Sequence, residues 1–270
     1  MSQRVPPWPV VAVAAVGGLF LLVPLVGLLQ RTPWGELAGL LGSDVVGDAL
    51  RLSLVTATLA TVVAVVLGVP LAWVLARAEF PGRQLLRAIA TLPMVLPPVV
   101  GGTALLLVFG RRGFVGEPLD DVGISLPFST AGVVVAQTFV AMPFLVVTVE
   151  AALRSADPRY DEAAATLGAD RWTTFRRVTL PAIAPSLAAG AVLTWARALG
   201  EFGATISFAG NLQGRTQTMP LAVFVALERD RDAAIALSLV LVTVALAVLL
   251  ALRARWWPSA ISERTTPRSS

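Results

Sequence analysis

The 270 residues include no cysteine, no histidine and no lysine. Without cysteine there is no disulfide framework and no thiolate ligand, and without histidine as well the familiar zinc-binding spacings cannot be written. Histidine is also the commonest general base, and no other nucleophile–base set or metal cluster stands out, so a membrane enzyme is the weakest of the functional classes. A phosphate-binding Gly-x-x-x-x-Gly-Lys-Ser/Thr loop requires lysine, so nucleotide of that kind must be bound by another chain. Charge is scarce too. Asp, Glu, Lys and Arg make up 14% of the residues, where soluble domains carry about a quarter.

Hydrophobic residues fill the gap, at 56% of the chain. They fall into six nearly uncharged stretches, Pro9–Leu29, Leu52–Ala76, Ala88–Phe109, Thr130–Val149, Ser186–Ala209 and Ala233–Leu252. A bilayer core about 30 Å thick needs roughly 20 apolar helical residues to cross it, and each stretch suffices. None alternates apolar and polar with period two, which argues against a membrane barrel. In lipid the backbone must satisfy its own hydrogen bonds, and this leaves helices. The expected fold is therefore all-α with six transmembrane helices. The first stretch is longer than a typical signal core and no small-x-small cleavage site follows Leu29, so it is expected to remain as an anchor.

Six spans place both termini on one side. That side would hold 13 of the 21 arginines and the other side 7, with Arg197 inside a span. Basic residues are retained on the cytoplasmic side, so both termini are expected there, in the cytoplasmic membrane, with Trp8, Trp256 and Trp257 at the inner interface. The net charge of +4 and the pI near 11 fit this topological reading better than nucleic-acid binding.

The segment between the fourth and fifth stretches carries most of the information. Asp157 suits an N-cap and Pro158 a first helical position. Asp161 and Glu162 place negative charge where the helix dipole favours it. Gly168 suits the left-handed residue that ends a helix, and Asp170 can cap a second helix running through Val178 until Leu180-Pro181 breaks it. The expected structure is helix, glycine turn, helix. Ala163, Ala164 and Ala165 leave a slim surface that another protein could approach. On composition alone an ordinary surface helical hairpin is the stronger reading.

The spacing changes that. Glu162-Ala163-Ala164, three residues, Gly168, nine residues, then Val178-x-Leu180-Pro181 resembles the EAA loop of ABC import permeases, with Val178 in the place of isoleucine as the one departure. Leu92 to Gly102 looks like the third span of molybdate and sulfate permeases, and Gly110-Arg111-Arg112-Gly113 comes next as in the molybdate branch. Ala196 to Thr205 is similar to the fifth span of that branch, and Asn211 to Pro220 continues the same block. The match covers roughly residues 45–250. The resemblance implies a type I importer permease fold and coupling to an ATP-binding subunit through Glu162, Ala163, Ala164, Gly168, Leu180 and Pro181. It implies partners as well: a second copy of the chain, two ATP-binding subunits that hold ATP and magnesium, and an extracytoplasmic oxyanion-binding protein. No cofactor is expected on this chain, and its other surroundings are lipid, not nucleic acid. Residues 1–46 read as an N-terminal segment, first helix and outer loop, residues 47–252 as the transport core with its cytoplasmic loop at 154–182, and residues 253–270 as a disordered tail.

Two spans are expected to depart from plain helices. Pro93, Pro97, Pro98, Gly101 and Gly102 sit at membrane depth in the third, where proline removes a donor and crowds the preceding turn. Broken spans of this kind mark transport paths, and kinked packing helices also use them. Arg197 and Glu201 lie four residues apart in the fifth span, followed by Gly203 and Thr205. They either pair to hold helices together or set Arg197 beside an anion path. A secondary transporter would also fit six spans and a buried charge pair, but it gives no reason for the helix–glycine–helix loop.

Overall fold

The computed structural model describes residues 7–157 and 159–256, with side chains through residue 250. Of the tail expected to be disordered from residue 253, residues 253–256 instead continue the last helix, while residues 257–270, with Trp257, lie outside the described residues, as do Arg4 and Pro158. Thirteen α-helices and no strand are found among the described residues. The long helices are α1 (Trp8–Arg31), α3 (Asp44–Arg77), α7 (Thr130–Ser155), α10 (Leu180–Leu199) and α13 (Arg231–Trp256). Short helices join or interrupt them: α2 (Leu37–Leu41), α4 (Arg83–Thr91), α5 (Pro98–Phe109), α6 (Gly116–Asp121), α8 (Arg159–Thr166), α9 (Arg171–Thr174), α11 (Gly203–Ala209) and α12 (Met219–Arg229). Five helices, one of them the continuous Arg171–Leu199, are long and apolar enough to cross a membrane, or six if the bent pair α4–α5 is one span.

The centre is the contact of α3 with α7, onto which α10 packs. Ala57, Ala60, Ala64, Gly68 and Ala72 recur at helical spacing along the buried face of α3. Small side chains let helices approach closely where no hydrophobic effect drives them together. Larger residues of α7, among them Leu145, Val146 and Val149, fill the space against Ala64, Ala72 and Leu75. Next to them Ala141 of α7 meets Ala57 and Ala60 of α3 and Ala198 and Leu199 of α10. By contrast α1 contains no buried residue and touches chiefly α13, so it lies at the periphery of the bundle.

The structure corrects three boundaries. The third stretch is not one kinked helix: α4 and a 3-10 turn at Leu92–Met94 meet α5 at 114°. Successive prolines explain it, because Pro97 and Pro98 lack the amides a continuing helix needs and hold Pro97 extended (φ −54°, ψ 130°). The fifth stretch ends as a helix at Leu199, and after Gly200–Phe202 the chain restarts as α11. Last, Leu180-Pro181 does not break a helix. Arg171–Leu199 is one helix of 29 residues, widened into a π turn at Phe175–Thr179. The wider turn, in which the Leu180 amide reaches back to the Phe175 carbonyl, makes room for the Pro181 ring that a tight α turn would obstruct. A further helix, α12, stands where an outer loop is expected. It packs on α13 and α3, and at 11 residues it is too short to read as a span.

The two ends of the bundle are well separated in character. At one end Arg87 and Arg154 both donate to the Leu75 carbonyl of α3. At the other the Thr130 hydroxyl donates to the Arg215 carbonyl. The bent pair α4–α5 and its following loop carry the chain from the first end to the start of α7 at the second.

Candidate functional site

The hairpin after α7 forms as expected in outline. The Asp157 carboxylate accepts the Arg159 amide at 3.0 Å, and α8 begins there. Gly168 has φ +79°, the left-handed region that side chains with a Cβ resist. The amides of Gly168 and Ala169 fold back to the Ala165 and Ala164 carbonyls, which closes the helix end. Asp170 caps α9 by accepting the Thr173 amide at 2.8 Å. Hydrogen bonds from the Thr173 side chain and amide hold its carboxyl below the ordinary carboxylate range. Of the residues assigned to coupling, Glu162, Ala163 and Gly168 are exposed while Ala164 is buried against the protein. Exposed Tyr160, Leu167 and Trp172 flank them, so the hairpin presents apolar side chains that the other described residues leave uncovered. Leu180 and Pro181 lie beyond the hairpin, in the first turn of α10.

The residues of the two interrupted spans meet one another. Helix α5 packs along α11. A Cβ on Gly102 would stand 2.6 Å from Ser207 Cβ and 2.8 Å from the Ala204 carbonyl oxygen, and one on Gly203 would stand 2.6 Å from Pro98 Cβ. Gly101 lies against Phe139 of α7. Thr205 is fully buried, whereas Pro97 and Pro98 are exposed at the break, in line with Val95, Val99 and Val100. An apolar, glycine-welded unit thus offers one open face.

Glu201 occupies the break between α10 and α11 and is 1% exposed. One oxygen accepts the Ala204 amide at 2.8 Å, capping α11. The other lies 2.7 Å from Arg197 Nη1, off the line of a hydrogen bond. The carboxylate therefore ties the end of one half-helix to the start of the next, and the pairing expected from the four-residue spacing is present. Arg197 is 29% exposed, so it is much less buried than the acid it pairs with. Removing the arginine would strand a buried carboxylate, at a cost of about 3–5 kcal/mol. Arg197→Ala and Glu201→Ala are each expected to reduce the monodisperse fraction after detergent extraction, with the double variant recovering part of the loss. A double variant no better than the worse single one would count against pairing as the main role of these residues.

Sequence reading missed the ion pairs at the Arg-rich end. Glu150 accepts from Arg87 at 2.6 Å and from Arg154 at 3.0 Å. Asp161 pairs with Arg77 at 3.2 Å. The i,i+4 spacing of Glu150 and Arg154 was a legible signal, while the other two pairs join distant segments.

Over residues 64–264 the sequence matches the family described as the binding-protein-dependent transport system inner membrane component. The chain belongs to this family. Among relatives of this transport family, the molybdenum transport system permease protein ModB of Mycobacterium tuberculosis is 49% identical over 212 residues, covering 78% of this chain and 80% of that protein. ModB of Escherichia coli is 44% identical over 182 residues, or 67% and 80% of the two chains. The sulfate transport system permease protein CysT of E. coli is 40% identical over 213 residues, or 78% and 77%. A bacterial ABC transporter that imports the acidic polysaccharide alginate has a chain of the same fold, with TM-score 0.75 and 21% identity over 92% of this chain and 95% of that one. The methionine transporter MetNI gives TM-score 0.61 and 18% identity over 78% and 94%. The type I importer permease fold expected from the resemblance is the observed one, in a multi-pass membrane protein.

Proposed function

We propose that the chain is the permease subunit of an ATP-driven importer for molybdate, with tungstate as a near substitute. The observation that carries this reading is the 49% identity with a molybdenum permease over 78% of the chain. In this reading the Arg-rich end and both termini face the cytoplasm. The exposed face of the α8–α9 hairpin, with Glu162, Ala163 and Gly168, docks on an ATP-binding subunit that holds ATP and magnesium. Two copies of the chain and two such subunits make up the machine, and an oxyanion-binding protein delivers the ion from outside. The uncovered face at Pro97–Val100 supports a path formed between two copies, because a single bundle has few polar groups with which to line one. That a solved relative of the same fold is held in complex with a periplasmic protein bound to an alginate pentasaccharide supports the delivering partner.

Sulfate is the second reading, favoured by the 40% identity with CysT. All three ions are tetrahedral dianions, so charge alone does not sort them. A site whose donors are spaced for longer metal–oxygen bonds fits the smaller sulfate poorly, and such a site belongs on the binding protein. The test is uptake of labelled molybdate by the complete transporter reconstituted with its binding protein. Excess tungstate is expected to compete strongly and excess sulfate weakly. Strong competition by sulfate at equal concentration would move the substrate to sulfate and leave the importer class intact.

A further inference from the structure

The α8 helix is poorly anchored. Its one buried residue is Ala164, and its neighbours are α9 and the π turn. Between this hairpin and the end of α3 lies a crevice of about 350 Å³, lined by Trp73, Arg77, Asp161, Ala165, Phe175 and Thr179. Asp161 reaches across it. One carboxylate oxygen meets Arg77 Nη2 of α3 at 3.2 Å, and the other accepts the buried Thr179 hydroxyl of the π turn at 3.3 Å. Arg77 Nε is buried with no partner among the described residues, so Asp161 is the acid that holds this guanidinium.

Two residues back along α3, the Leu75 carbonyl accepts from both Arg87 and Arg154, and Glu150 binds both of these arginines at once. Cations at the carbonyl end of a helix are favoured by its dipole, and a carboxylate accepting from two guanidinium groups makes charge-assisted hydrogen bonds to both. The end of α3 is thereby fixed to α7 and to α4, the helix that leads into the 114° break. Every step of this chain of contacts is polar and directional, so it opens or closes as discrete bonds and not by gradual sliding.

We propose that the Arg77–Asp161 pair is the latch that passes movement of the α8 hairpin to α3, and through the Glu150 cluster to the broken span. Arg77 and Asp161 act as positioning residues, and the inference rests on reading the hairpin as the docking loop. The experiment uses the whole transporter in membrane vesicles, with labelled molybdate as the probe. It records two quantities, the ATP-binding subunit co-purified per permease and the maximal uptake rate per assembled complex. Arg77→Gln and Asp161→Asn are expected to assemble as wild type yet to lose about ten-fold in maximal uptake, within the usual range of coupling between sites. The concentration for half-maximal uptake should stay unchanged. Asp161→Glu should retain uptake, and the exchange Arg77→Asp with Asp161→Arg should recover a substantial part of it. Wild-type uptake by either single variant would overturn the latch, as would an exchange no better than the worse single variant. If the single variants fail to accumulate, recovery of both accumulation and uptake in the exchange is the supporting result and its absence the overturning one. Gly168→Val run in parallel separates the two failures: if it too transports normally, the docking-loop reading is wrong, whereas if it alone is inactive, only the latch is.

Discussion

Gly168→Val is expected to leave the permease in the membrane at wild-type amounts and to abolish ATP-driven uptake. The reason is conformational. No atom outside the immediate backbone lies within 4 Å of where a Cβ would stand, so added bulk meets open space. The difficulty is φ +79°, which costs a residue with a Cβ about 1–2 kcal/mol and a β-branched one more. That is small beside the stability of a helical bundle, and the turn can relax because the hairpin is exposed. Relaxation changes the angle between α8 and α9, and with it the surface that Glu162, Ala163, Leu167 and Trp172 present. Gly168→Asn, which enters the left-handed region more readily, should keep much of the uptake. Vesicle transport measured against immunoblotted permease checks both, and normal uptake by the valine variant would displace the docking surface from this loop.

Gly102→Val is expected to act in the opposite way, removing folded protein instead of uncoupling it. Here a Cβ would be 2.8 Å from a backbone oxygen and 3.0 Å from a backbone Cα of Ala204, neither of which can swing aside. Helices α5 and α11 would have to part. Overpacking of this kind costs about 1–3 kcal/mol where neighbours give way and more where backbone must move. Because α11 is also fastened through Glu201 to Arg197, the disturbance should spread to the end of α10. The measurement is the folded fraction after extraction, with its thermal midpoint. Gly102→Ala should be intermediate, and a valine variant of wild-type stability would contradict the close approach of the two half-helices.

How much could be read from the sequence depends on how local the causes are. The Asp170 cap and the left-handed Gly168 are set by a few adjacent residues and stand where they were expected, and four of the six hydrophobic stretches form single helices. The spacing of Arg197 and Glu201 announced their contact as well. Breaks were harder to read. Pro97-Pro98 signals an interruption but not its angle, which depends on α5 finding its place along α11. Pro181 was read as a stop because proline lacks an amide, yet the π turn before it absorbs the ring and the helix runs on. Arg77 stands 84 residues from Asp161 in the chain and Arg87 stands 63 from Glu150, so no local pattern could have named those two pairs. For Asp161, the first-turn charge it shares with Glu162 concealed a second use.

The uninterrupted run from Arg171 to Leu199 has a mechanical meaning. Its 29 residues make a rod roughly 44 Å long at the usual rise per residue. One end belongs to the exposed hairpin and the other stops at Leu199, beside the break that Glu201 bridges. Moved as one body, the rod converts an angular change at the hairpin into sideways travel at the far end. A tilt of about 5° at the hairpin displaces the far end by roughly 4 Å, more than the width of a water molecule. In the proposed importer this helix would serve as a lever, a short throw at the hairpin amplified at its far end.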